Sequence, residues 1–152
     1  MSFAYFLRRA ATSGGDTAAV MQGDRVLTYG QLDERSNRLA NAMLGLGLVP
    51  GDRVAVQSRN CVELVEIECA LYKAGLVKAA LNPRFTAAEA SDVVSNCRPR
   101  LIIAGEGFTN YSPRTQGFDS IEIFVSIGPA AEAYSGYEAL LARASAAMPN
   151  VQ

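Results

Sequence analysis

The side chains best suited to chemistry in this chain are cations and carboxylates, because it contains no histidine. Every mechanism that needs an imidazole is thereby closed to it: a Ser-His-Asp triad, a Cys-His pair, a His-ligated zinc. Asn82-Pro83-Arg84 carries the most pointed cation. The Arg84 guanidinium can fork onto a carboxylate or phosphate ligand, pair with a neighbouring carboxylate, or cap a carbonyl. Lys73 lies one turn before a predicted helix C-terminus, where a cation suits the helix dipole. Glu63, Glu66 and Glu68 gather three carboxylates, but without His or Asp partners they make a poor metal site. Cys61, Cys69 and Cys97 form no C-x-x-C pair. On one helix, Cys61 and Cys69 would stand about 12 Å apart, too far for a disulfide. They read as small hydrophobes in a reducing cytosol. No P-loop and no G-x-G-x-x-G occurs. Thr12-Ser13-Gly14-Gly15 is followed by Asp16, which would repel a phosphate, so that stretch reads as a connector.

Those residues need elements to position them. Phe3, Phe6, Leu7 and Ala10 have helical spacing, so a short amphipathic helix covers 3–11, with 12–16 as a loop. Ala18–Gln22 and Arg25–Leu27 flank Gly23-Asp24 as a hairpin. Thr28 and Gln31 form a capping box that opens a helix with Leu32, Leu39, Ala40, Met43 and Leu44 on one face. Asp33, Glu34, Arg35 and Arg38 lie elsewhere on it. Gly45 and Gly47 supply a left-handed stop. Val49-Pro50-Gly51-Asp52 is a turn leading into a strand over 53–58. Asn60 and Glu63 suggest a second cap, opening a helix that Gly75 ends. A buried strand follows over 76–81. Thr86 and Glu89 form a third capping box, and that helix must stop before Pro99. Strands cover 101–104 and 121–125, and Ser135 and Glu138 suggest a last helix over 137–147. Strands alternating with helices predict an α/β fold with a mainly parallel sheet. Its carboxyl ends, where such sheets bind ligands, fall at Ser58-Arg59-Asn60, Leu81–Arg84, Gly105-Glu106-Gly107 and Ser126-Ile127-Gly128.

The composition bounds the answer. At 152 residues the chain is one domain's worth, with 49% hydrophobic and 19% charged residues. Fourteen basic against fifteen acidic residues give a net charge of −1, so no basic footprint for nucleic acid exists. There is no run of 18 apolar residues, and Met1 to Ala11 has the wrong order for a secretory signal. A cytoplasmic protein without a transmembrane segment is expected.

Two motif groups are more specific. One is Leu27-Thr28-Tyr29-Gly30-Gln31-Leu32 with Asn37-Arg38-Leu39-Ala40 and Gly51-Asp52-Arg53-Val54-Ala55. The other is Ala70-Leu71-Tyr72-Lys73-Ala74-Gly75 with Leu81-Asn82-Pro83-Arg84, Thr86 and Glu89. Together they resemble the first two core motifs of the AMP-forming acyl-CoA synthetases, in the adenylate-forming superfamily with the luciferases and peptide-synthetase adenylation domains. The match spans about residues 15–105 in the right order and spacing.

The resemblance implies the N-terminal portion of a fatty-acid–CoA ligase. ATP and a carboxylic acid give an acyl-adenylate and pyrophosphate, coenzyme A then takes the acyl group, and magnesium assists. It implies an acetyl-CoA-synthetase-like N-terminal subdomain, incomplete, with a short hairpin, so 1–152 is a single partial domain. The family's phosphate loop, T-S-G-[ST]-T-G-x-P-K-G, has no counterpart in these residues. No catalytic residue, cofactor-binding residue or metal ligand is carried over, and the chain is expected to be inactive alone with no cofactor bound. Thr28, Tyr29, Gly51, Asp52, Lys73, Gly75, Asn82, Pro83, Arg84 and Thr86 are structural positions of the motifs. Alternatives are an aryl-acid–CoA ligase fragment, a non-catalytic binding or interaction module of this family, or an unrelated flavodoxin-like nucleotide binder. Sheet edges meant for further strands predict self-association or a dimer.

Overall fold

The structure, a computed structural model, describes residues 3–151, with the side chain of Phe3 outside the described set. The expected apolar contact of Phe3 therefore lies outside the described residues. The chain divides into two compact units, the first drawn from Met1–Pro50, Asn60–Gly75 and Leu141–Gln152, the second from Gly51–Arg59 and Leu76–Leu140. Among the described residues, no helix is long and apolar enough to cross a membrane.

The first unit holds α1 (Phe3–Gly14), the antiparallel pair β1 (Ala18–Gln22) and β2 (Arg25–Thr28), α2 (Tyr29–Gly45) and α3 (Val62–Ala74). Leu7, Leu27, Leu32, Val62 and Cys69 form its shared apolar cluster. The Thr28 capping box is present in both directions: Gln31 N donates to Thr28 Oγ1 and Thr28 N to Gln31 Oε1. Such a cap supplies about 1 kcal/mol. α3 ends where Gly75 takes φ +67°, a left-handed stop that a side chain would strain.

Four expectations in this unit are corrected. α1 runs on to Gly14 rather than breaking at Thr12, whose Oγ1 donates back to the Arg8 carbonyl as helical residues can. Gly45 stays in α2, and only Gly47 is left-handed. Asn60 does not cap α3; the cap position is Cys61, with no side-chain bond. The cap comes from β1 instead. Val62 N donates to Gln22 Oε1 and Gln22 Nε2 to Asn60 O, a partner 40 residues away that no local spacing reveals. The last helix, α5 (Tyr137–Ala142), does not reach Ala147. After it, the carbonyls of Ala144, Ser145, Ala146 and Ala147 accept from Arg38, Asn37 and Asn41 of α2, which ties that segment to α2.

The second unit is a five-stranded, all-parallel sheet in the order β4-β3-β5-β6-β7, with α4 (Ala87–Cys97). Its strands are β3 (Arg53–Gln57), β4 (Val77–Ala80), β5 (Leu101–Ala104), β6 (Ile123–Ser126) and β7 (Ser135–Gly136). β5 is buried at every position, as expected of a central parallel strand. Ala55, Ile102 and Phe124 share one row and pack with Ala90 and Val94 of α4. Tyr111 stacks on Phe118 at 4.3 Å within the same cluster, so the long 105–122 connection is tied down by aromatic packing. Three expectations change here. β4 is mostly exposed rather than buried, because it is an edge strand with β3 as its neighbour. β6 begins at Ile123, since Phe118–Ile121 make a turn first. Ser135, expected to cap the last helix with Glu138, is instead a β7 residue, with Gly136 between it and the start of α5 at Tyr137.

Candidate functional site

The sheet of the second unit reverses its order between β3 and β5. The chain goes from β3 outward to β4, then returns to β5 on the other side. Ligands of open parallel sheets bind beyond the carboxyl ends at such a point. Here the two strands end at Gln57-Ser58 and Ala104-Gly105. Gly105 sits against Ser58 so closely that a Cβ there would overlap the Ser58 side chain, so only glycine fits. Gln57 is fully buried in the last sheet row, beside Ala104 and, one strand on, Ser126. Its Nε2 donates to Asn82 O at 3.2 Å, which fixes the amide, and its Oε1 has no partner among the described residues.

The Asn82-Pro83-Arg84 loop stands at the end of β4 on the same side. Asn82 Oδ1 accepts from Arg84 N at 2.9 Å, and Asn82 O accepts from Phe85 N at 3.0 Å, which closes a tight turn around Pro83. Thr86 then opens α4 with a full capping box, its Oγ1 accepting from Glu89 N. The Thr86 amide and hydroxyl hold the Glu89 carboxyl below its ordinary value of 4.5. The turn thus aims the chain into α4. Arg84 is exposed, and its guanidinium has neither an ion-pair partner nor a capped carbonyl among the described residues. Arg59 lies nearby in sequence order on the β3 end, with its guanidinium 5.9 Å from the Phe108 ring centroid.

At the opposite, amino end of the sheet, Gly51 is left-handed and Asp52 binds Arg100 at 2.9 Å. Arg100 also pairs with Glu122 at 2.8 Å. That arginine holds the Glu122 carboxyl below its ordinary value. Asp52 O accepts from Val77 N, which starts β4 in register. These are strand-start fixtures.

The first unit contains a buried cation. Lys73 Nζ donates to Asp33 Oδ1 at 2.7 Å, Asp33 O at 3.0 Å, Ser36 Oγ at 2.8 Å and Asn37 Oδ1 at 2.8 Å. Its side chain is 1% exposed. Burial lowers its pKa, and Asp33 opposes that fall. Every N–H has an acceptor, so the ammonium ties α3 to α2 and leaves no proton for a substrate. Around it, Arg35 binds Glu66 through Nε and Nη2 at 2.7 and 3.1 Å, and Arg25 binds Glu63 at 2.8 Å. Burial pushes the Glu63 carboxyl up, but Arg25 and a backbone amide outweigh it and hold the group below 4.5.

The structure therefore scatters the motif positions. Thr28 and Tyr29 start α2, Lys73 and Gly75 lock and end α3, Gly51 and Asp52 start β3, and Asn82 through Thr86 shape one loop. Sequence reasoning missed Gln57 and the partners of Lys73. The signal for the latter was present: Asp33, Ser36 and Asn37 are three and four apart on α2, hence one face. Among the described residues, no group of three or more His, Cys, Asp or Glu could hold a metal ion. Glu63 and Glu66 are already held by Arg25 and Arg35.

Comparison with known proteins completes the picture. A family model described as AMP-binding enzyme matches residues 6–143. The 3-oxocholest-4-en-26-oate–CoA ligase of Rhodococcus rhodochrous is 32% identical over 138 residues, covering 86% of this chain and 25% of that protein. The fatty acid–acyl-carrier-protein ligase ScoC of Streptomyces coeruleorubidus is 39% identical over 92 residues, covering 60% of this chain and 18% of its own length. The chain thus spans no more than about a quarter of either relative. The solved anthranilate CoA ligase AuaEII, in complex with anthranoyl-AMP, shares the fold, with a TM-score of 0.91 over 100% of this chain and 30% of that one at 22% identity. The mainly parallel sheet with its helices and separate hairpin is that of the N-terminal part of such ligases. On the family match, which extends over most of its length, the chain belongs to the AMP-binding enzymes.

Proposed function

We propose that this chain is the N-terminal part of an AMP-forming acyl-CoA ligase of the cytoplasm, with a fatty acid as the activated carboxylate. In that reaction the carboxylate oxygen attacks the α-phosphorus of ATP and pyrophosphate leaves. The coenzyme A thiolate then attacks the acyl carbon, and AMP leaves with the bond electrons. The observation that carries the reading is the family match over residues 6–143, with relatives named for carboxylic acids. The chain's own contribution is architectural: Lys73, Arg35 and Arg25 hold the first unit, and Gly105, Gln57 and the Asn82–Thr86 turn shape the carboxyl end of the sheet. ATP, magnesium and coenzyme A would meet residues of the whole enzyme, and no step is assigned to a side chain here.

The test is ATP–pyrophosphate exchange with a panel of fatty and aryl acids. It is run on the chain alone and on a chimera in which residues 1–152 replace the matching segment of the Rhodococcus ligase. The reading expects no exchange from the chain alone and fatty-acid-dependent exchange from the chimera. Robust exchange by the chain alone, or a folded but silent chimera, would contradict it.

A further inference from the structure

The chain has four methionines, and the structure places three of them in different surroundings. Met43 is 0% exposed in the core of the first unit, and Met21 stands 73% exposed on β1. Met148 lies between these extremes, 43% exposed, in the segment that follows α5. The carbonyls just before it, from Ala144 to Ala147, are tied to α2 by Arg38, Asn37 and Asn41. Met148 makes the next tie, to a different helix: its Sδ accepts from Arg8 Nη1 of α1 at 3.7 Å. Both side chains belong to the first unit.

A thioether is a weak acceptor, so this tie is the weakest of the set. Its donor could serve a better one. Arg8 is exposed and has no ion-pair partner among the described residues. Oxidation of methionine supplies a better acceptor, because it turns the sulfur into a polar sulfoxide. Inside an apolar core that change disrupts packing. At Met148 the sulfur is already half in solvent and beside a guanidinium, so a sulfoxide oxygen gains a charge-assisted hydrogen bond without being buried.

We propose that Met148 is a modification site, a peroxide-sensitive latch that fastens residues 144–148 to α1 through Arg8. A sulfur lone pair attacks one oxygen of hydrogen peroxide, the O–O bond breaks, and the second oxygen leaves as water with both protons. Sulfur loses two electrons and the peroxide gains them. The oxygen now on sulfur accepts from the Arg8 guanidinium, so oxidation tightens the segment. Enzymatic reduction of the sulfoxide reopens the latch. This goes beyond the ligase reading and does not depend on it, because the test involves no turnover.

In the test, the 152-residue chain carrying Met21→Leu is treated with dilute hydrogen peroxide and then with dithiothreitol, which returns oxidised thiols and spares the sulfoxide. Peptide mass spectrometry follows each methionine. The readout is the rate of tryptic cleavage after Arg143, where the tied segment begins. The expected result is a sulfoxide at Met148 and an unmodified Met43. Oxidation should slow the cleavage about fivefold, since cleavage follows the population of the open segment. Arg8→Ala in the same background, a surface change, should remove that slowing, and methionine sulfoxide reductase should reverse it. Met148→Leu should make the rate indifferent to peroxide. Unchanged or faster cleavage once Met148 is oxidised would overturn the latch. Slowing that persists in the Arg8→Ala chain would overturn the part given to Arg8. A Met148 that resists peroxide while Met21 of the unsubstituted chain is oxidised would overturn the site.

Discussion

The two units keep their shape by different means. In the second, the central strands are a continuous apolar run: Leu101, Ile102, Ile103 and Ala104 are all fully buried, and the charges sit at the strand starts. In the first, charge goes inside. Lys73, Glu63 and Glu66 are buried on α3, each answered by a residue 31 to 40 positions earlier. A buried apolar side chain needs only the right volume. A buried ion needs a specific partner, and its loss leaves the other charge stranded. The first unit is accordingly the more specified of the two and the less tolerant of single changes.

The sharpest way to break that contrast is Lys73→Met. It leaves Asp33, Ser36 and Asn37 without their shared donor and should cost about 3 kcal/mol or more in urea unfolding. A loss below about 1 kcal/mol would mean that the buried ions are ornamental. Ile102→Ala is the matching change in the second unit. At a position 0% exposed it should cost about 2–5 kcal/mol by cavity formation, with the spread set by how far the sheet relaxes. The two losses should add, since the sites share no partner. Capping changes are smaller. Thr28→Ala and Thr86→Ala, one in each unit, should each cost about 1 kcal/mol, which thermal melts of both variants would read.

Both units contribute to a pH signature. Glu63, Glu89 and Glu122 are held below their ordinary 4.5, so the unfolded chain binds protons that the folded chain does not. Their stabilisation is complete above pH 4.5 and is lost as the pH falls through the depressed values. Urea midpoints from pH 7 to pH 3 should fall steeply only below about 4.5. Glu63→Gln should flatten part of that fall, and an unchanged slope would remove Glu63 from the account.

How much of this was legible in the sequence follows the same division. The apolar strand 101–104, the Thr28 and Thr86 capping boxes and the Gly75 stop depend on neighbours within a few residues, and spacing revealed them. The cap on α3 was not legible, because Gln22 supplies it from a hairpin. The end of α5 was not legible, because the segment after it is tied by its carbonyls to α2 side chains more than 100 residues earlier in the chain. Lys73 read as a helix-end cation from its position. Only the fold places Asp33, Ser36 and Asn37 around it. From the sequence Arg84 reads as an anion ligand, an ion-pair partner or a carbonyl cap, and the structure leaves its guanidinium in solvent, as Asn82 and Pro83 turn the chain before it. Gln57 had no signal beyond its place at the end of a strand.

The central claim is that the buried cation of the first unit holds the fold and takes no part in the reaction. Lys73→Met in the Rhodococcus chimera tests it most directly, with Tm and steady-state kinetics measured on the same folded preparation. The expected result is a large fall in Tm, with kcat per folded enzyme and KM for ATP within about twofold of the parent chimera. A collapse of kcat at unchanged Tm would contradict it.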